Sequence, residues 1–212
     1  MISVSHIVNS IFTSRTYYLT DRNKNCFWLV DCGDIGPLME ELSLFASGSF
    51  VIKGVLLTHV HYDHIYGLLK LKELFPNVRV YTNEIGRKLL GSEKLNMSKY
   101  HEDPISFSAE NVVVCGDGDE IELYEDVKAK VHHTPGHNPS CLTFEVTDYL
   151  FTGDSYIPGI KVVSNLPGGD RQLAAESLKT ILVLSEGKVV CPGHEVNNNS
   201  KACLPVILGR AL

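Results

Sequence analysis

Residues 56–67 read LLTHVHYDHIYG, so His59, His61, Asp63 and His64 crowd one short stretch directly after an apolar run. Imidazole nitrogens and carboxylate oxygens are the donors that zinc takes readily, and a catalytic zinc keeps one position open for water. In an extended segment His59 and His61 point to the same side by the period of two. The turn that opens the next helix can bring Asp63 and His64 to a neighbouring point, so one loop can feed two adjacent metals.

Three other loops that follow apolar strands offer matching side chains beside glycine: HTPGHNPS carries His137, LFTGDS carries Asp154 and VVCPGHE carries His194. Glycine permits the sharp turn that presents a side chain at a sheet edge. The seven residues divide into His59, His61 and His137 for one metal and Asp63, His64 and His194 for the other, with Asp154 left to bridge them. A single PGH is usually only a turn, and it is the ordered joint pattern that carries weight. Two metals about 3.5 to 4 Å apart can hold a hydroxide between them and polarise a carbonyl, which makes hydrolysis of an activated acyl bond the expected reaction. Asp63 is the candidate catalytic residue, placed to orient the hydroxide and accept its proton.

The elements that must position these loops follow from periodicity. Strands are expected over Ile2 to Val8, Thr16 to Thr20 and Cys26 to Asp31, a helix over Ile35 to Phe45, and a strand over Ile52 to Leu57 that feeds the histidine loop. A helix over Leu68 to Phe75 is stopped by Pro76, a strand covers Val78 to Tyr81, and Asn83 caps a helix ended by Gly91. Residues 92–109 read as irregular. Strands follow at Asn111 to Cys115, Ile121 to Tyr124, Val127 to His132, Cys141 to Val146 and Tyr149 to Thr152. A helix over Arg171 to Leu184 and a strand over Lys188 to Cys191 complete the pattern. Each half runs from strands to helix to strand, which implies a four-layer αββα sandwich and a single domain over residues 1–212.

The ligand pattern closely resembles that of the metallo-β-lactamase superfamily, from about residue 2 to 196. The H-x-H-x-D-H signature stands as His59, His61, Asp63 and His64, and the later ligand positions as His137, Asp154 and His194. The TGD, TPGH and PGHE motifs are most similar to the glyoxalase II-like hydrolases, which cleave thioesters. The resemblance therefore implies the αββα fold, a two-zinc site with iron or manganese as alternatives, and thioester hydrolysis. Glyoxalase II also has a C-terminal helical domain and a tyrosine two residues past the last ligand. Here 18 residues follow His194 and that position is Val196, so the chain reads as a short form without that domain.

Tyr156, two residues beyond Asp154, is a candidate oxyanion donor. Lys161 is a candidate partner for a substrate carboxylate, against its reading as a solvated loop lysine. His132 and His133 read as supporting or surface positions, His6 and His101 as ordinary polar ones, and Cys191 as core. The same scaffold implies three alternatives: a persulfide dioxygenase with one iron on His59, His137 and Asp154, a lactonase or other hydrolase of the fold, and a non-catalytic metal-binding protein.

Composition narrows the partners. The 212 residues are 44% hydrophobic with a net charge of −6, and no basic cluster offers a footprint for nucleic acid. No apolar run approaches the roughly 18 residues of a membrane span, and no leader pattern opens the chain, so a cytoplasmic protein acting on small molecules is expected. Its oligomeric state is not legible. The six cysteines are scattered, which suits buried reduced thiols better than disulfides.

Overall fold

The structure, a computed structural model, describes residues 2–21, 25–46 and 48–195. Val196 and Cys203 lie outside the described residues. The strands that open the chain, β1 (Ser3–Val8), β2 (Arg15–Asp21) and β3 (Cys26–Val30), form an antiparallel meander. The helix α1 (Ile35–Phe45) then carries the chain back, so β4 (Val51–Leu56) joins β3 in parallel. Next, α2 (Leu68–Leu74) returns it to β5 (Arg79–Thr82), and α3 (Glu84–Leu90) leads through an irregular stretch to β6 (Val112–Val114). Both added strands are parallel, completing a six-stranded mixed sheet in sequence order.

A second sheet contains β7 (Glu120–Tyr124), β8 (Val127–His133), β9 (Leu142–Val146) and β10 (Tyr149–Gly153), paired antiparallel. The helix α4 (Arg171–Leu184) crosses over to β11 (Val189–Pro192), which runs parallel to β10. The order is β11-β10-β9-β8-β7.

Alternate side chains of the central strands go to different cores, because successive residues of a strand point to opposite faces. Phe27 and Leu29 pack with Leu38 and Leu42 of α1, Leu68 and Leu71 of α2 and Leu90 of α3. Their neighbours Trp28 and Val30 pack between the sheets with Leu123, Val131, Phe144 and Phe151. Strands buried on both faces read as continuous apolar runs, which is why CFWLV and VLL are so conspicuous. On the far side α4 turns Ala174, Ser177 and Ile181 inward. The layers are helices, sheet, sheet and helix, the arrangement the sequence implies.

The helices start and stop for local reasons. Asn83 Oδ1 accepts from Gly86 N at 2.8 Å at the start of α3, and Asp170 Oδ1 accepts from Gln172 N and Leu173 N at the start of α4. Pro76 ends α2 before Phe75 can join it. The five described cysteines are buried.

Candidate metal centre

The loops that leave β4, β8, β10 and β11 meet at one end of the two sheets. After β4, Thr58 O accepts from Leu142 N at 2.7 Å, which stitches the first sheet to the second where the histidine loop begins. Residues Tyr62–His64 form one 3-10 turn, so Asp63 and His64 swing towards the point that His59 and His61 face. Glycine is required at two of the other loops. A Cβ on Gly153, whose φ is 50°, would lie 2.4 Å from Thr58 Oγ1, and one on Gly193 would lie 2.2 Å from Asp154 Oδ1.

All seven residues singled out from the sequence converge. The metal-binding atoms of His59, His61 and His137 lie within 4.8 Å of one another, as do those of Asp63, His64 and His194, and those of His59, His64 and Asp154. Asp154 reaches both groups: Oδ1 is 3.5 Å from His64 Nε2, while Oδ2 is 3.5 Å from His137 Nε2 and 3.2 Å from His194 Nε2. Asp63 Oδ2 stands 3.3 Å from His194 Nε2 and 3.4 Å from His64 Nε2.

The cluster is held from outside by hydrogen bonds that fix each ring. His64 Nδ1 donates to Asp31 Oδ2 at 2.8 Å, and Asp31 also accepts from Thr58 N and Thr58 Oγ1 at 2.8 Å each. His137 Nδ1 meets Val163 O at 2.6 Å and His194 Nδ1 meets Phe12 O at 2.8 Å. His61 Nε2 faces the Asn138 amide at 3.0 Å.

Electrostatics divides the rings. Burial, reinforced by neighbouring imidazoles, holds His59 far below the usual histidine value and His61 down to about 4. Burial also opposes the charge on His64, but Asp63, Asp31 and Asp154 outweigh it and push the ring up to about 9. The same opposition is overcome at His194, where hydrogen bonds to Asp154 and Asp63 raise it to about 11. Burial would raise both Asp63 and Asp154, yet the surrounding imidazoles keep each below the ordinary carboxylate range. Asp31 is raised by its burial, against the pull of His64 and Thr58.

Two buried atoms within the cluster, His59 Nε2 and Asp154 Oδ1, have no hydrogen-bond partner. A lone pair and a carboxylate oxygen left so in a dry interior are costly, and a shared cation satisfies both. The donor set of imidazole nitrogen and carboxylate oxygen suits zinc and also iron. The residues therefore fit a pair of divalent cations.

Beside the cluster is a cleft of about 220 Å³, walled by Phe12, Tyr62, Met97, His101, Val163 and Leu166. His101 corrects its reading as an ordinary polar position: its ring stacks on Tyr62 at 4.0 Å and faces the cleft. It comes from the irregular stretch after α3, where no periodicity signals a wall. Tyr156 and Lys161 do not line the cleft. The chain closes a tight turn there, with Ile160 N donating to Ile157 O, leaving Tyr156 half-buried and Lys161 exposed while Val163 and Leu166 reach the site. Sequence reasoning also passed over Asp31, Thr58 and Asn138. The one available signal was an aspartate ending a strand otherwise apolar throughout.

His132 pairs with Glu145 at 2.8 Å away from the cluster, and His133 N donates to Asp117. His6 tilts against Tyr17, and Cys191 is buried between the sheets.

A family model described as Metallo-beta-lactamase superfamily matches residues 12–194. The hydroxyacylglutathione hydrolase of Tolumonas auensis is 30% identical over 196 residues, which cover 88% of this chain and 68% of that protein. That of Xylella fastidiosa strain M12 is 31% identical over 174 residues, covering 82% of this chain but only 57% of the relative. Among solved structures, BLEG-1 B3 metallo-beta-lactamase superposes with a TM-score of 0.80 at 26% identity, covering 92% of each chain. TTHA1623 in a di-iron-bound form superposes with a TM-score of 0.73 at 25% identity, covering 90% of this chain and 92% of that one.

Proposed function

The chain belongs to the metallo-β-lactamase superfamily, and we propose that it is a two-metal hydrolase that cleaves a thioester or a related activated acyl bond of a small molecule. The observation that carries this reading is the meeting of five imidazoles and two carboxylates, two of whose buried atoms lack a hydrogen-bond partner. His59, His61 and His137 would hold one cation, Asp63, His64 and His194 the other, and Asp154 both. Divalent cations bound there supply Lewis acidity, which makes a water molecule nucleophilic at neutral pH and polarises the acyl carbonyl.

The chain's own residues supply the rest. His64 and His194, pinned from outside by Asp31 and Phe12 O, set the point at which Asp63 Oδ2 would join them on one cation. Asp63 Oδ1 is then the oxygen left to orient the attacking water and take its proton, and the depressed pKa of Asp63 keeps it ionised to do so. The aromatic and apolar walls of the cleft hold the acyl group and exclude bulk water from the reacting carbonyl.

Thioester chemistry is favoured by the hydroxyacylglutathione hydrolases among the relatives. Zinc is the proposed metal, with iron the competitor because TTHA1623 holds a di-iron pair. No helix among the described residues is long and apolar enough to cross a membrane. The test is metal quantification on the purified protein followed by a panel of acyl-glutathione and other thioesters, lactones and β-lactams. Two equivalents of metal with turnover of thioesters support the proposal. One iron with oxygen consumption on a persulfide, or metal without turnover of any substrate, rejects it.

A further inference from the structure

The hydrogen bond on the outer nitrogen of an imidazole decides which ring nitrogen carries the proton. Four of the five rings are set alike. Asp31 Oδ2, Val163 O and Phe12 O can only accept, so His64, His137 and His194 each keep their proton at Nδ1. Thr58 Oγ1 donates its proton to Asp31 Oδ2 and therefore accepts from His59 Nδ1 at 3.1 Å. All four rings turn Nε2 into the cluster, the nitrogen that each would lend to a cation.

His61 is turned round. It faces the cluster with Nδ1, 2.9 Å from His137 Nε2, and its outer nitrogen Nε2 meets Asn138 Nδ2 at 3.0 Å. The orientation of that amide is fixed by Ser140, whose backbone N–H donates to Asn138 Oδ1 at 2.9 Å and whose hydroxyl donates to it at 2.6 Å. A backbone N–H cannot accept, so the amide nitrogen must be the end that faces His61. Asn138 then donates to an unprotonated Nε2, and the His61 proton sits on Nδ1, pointing into the cluster at His137 Nε2.

We propose that Asn138 is a positioning residue that makes the two metal subsites unequal, weakening the one formed by His59, His61 and His137. This rests on the reading of the cluster as a two-metal site. To lend Nδ1 to a cation, His61 must move its proton to Nε2, where one N–H then faces another. Turning the amide over relieves that contact but sets Nδ2 against the Ser140 N–H. Asn138 is 1% and His61 5% exposed, so water cannot step in. Either way a buried donor goes unsatisfied, a loss of roughly tenfold to a hundredfold in affinity. His64 and His194 turn their outer nitrogens to acceptors, so neither ring meets an opposing N–H when it lends Nε2.

Asn138→Asp changes the donor for an acceptor of the same shape: one oxygen serves Ser140 and the other accepts from His61 Nε2–H. The experiment titrates metal-free protein with zinc, following imidazole nitrogens by 15N NMR and occupancy by competition with a coloured chelator. In the metal-free wild type His61 is expected to be protonated at Nδ1. His64 and His194 should respond to the first equivalent and His61 to the second, which binds at least about tenfold more weakly. In Asn138→Asp the second step should tighten by about tenfold or more while the first is unchanged. A His61 protonated at Nε2 in the metal-free wild type, simultaneous filling of both subsites, or an unaltered second step in the variant would overturn the proposal while leaving the two-metal reading intact. Should the variant fail to fold, the wild-type tautomer and filling order decide alone. Zinc that never perturbs any of the five rings would remove the metal reading itself.

Discussion

Asp63 and Asp154 differ in what each carboxylate touches, and on the proposed mechanism their substitutions are expected to separate catalysis from metal retention. Asp154 lies within 3.5 Å of imidazoles from both groups through its two oxygens, whereas Asp63 contacts only His64 and His194 through Oδ2. Asp63→Asn is therefore expected to keep most of the metal and lose roughly a hundredfold or more in turnover, and Asp154→Ala to lose metal as well. Metal quantification beside kcat on the same samples checks both. Asp31→Ala strips the acceptor from Thr58 N, Thr58 Oγ1 and His64 Nδ1, and should weaken zinc binding about tenfold to a hundredfold, measured by chelator competition. The seven cluster residues were legible because each sits beside an apolar run and carries its own chemistry. Asp31 and Asn138 act through partners 33 and 77 positions away, a relation that leaves no local pattern. Tyr156 and Lys161 misled for the converse reason: nearness to Asp154 along the chain does not survive the turn at Ile157–Ile160.

Among the elements, β4 bears the tightest constraint because it presents the histidine loop. Its Gly54 has no room for a side chain: a Cβ would sit 2.5 Å from the Trp28 ring and 2.9 Å from that of Tyr81. Gly54→Ala is expected to cost about 1–3 kcal/mol through overpacking, read as a lower denaturation midpoint with an unchanged slope. Gly153→Ala meets both a positive φ and Thr58, so it should cost about 2 kcal/mol or more and lower metal affinity too, because Thr58 braces His59. The strands and helices could be placed from periodicity with shifts of a residue or so, as where β5 starts at Arg79 rather than Val78. Strand neighbours could not. Whether β4 lies parallel to β3 is decided by the α1 crossover and by packing on both faces, neither of which the alternation of apolar residues encodes.

At the scale of the molecule, the cluster draws on both sheets, and backbone bonds cross between them at its rim: Leu142 N to Thr58 O, and Arg15 N to Gly193 O at 2.7 Å. A cation pair bound only by the folded chain stabilises it by mass action. Chelation should therefore lower the melting temperature by about 10 °C, taking about 4 kcal/mol of binding stabilisation at saturating metal and 2–4 °C per kcal/mol for a domain of this size. Zinc should restore it. Whether residues from four loops hold two cations is decided by anomalous diffraction at the zinc edge from crystals grown with zinc. The expected result is two peaks about 3.5 to 4 Å apart, one against His59, His61 and His137 and the other against Asp63, His64 and His194. Crystals with zinc in the solvent and no peak inside the cluster would contradict it.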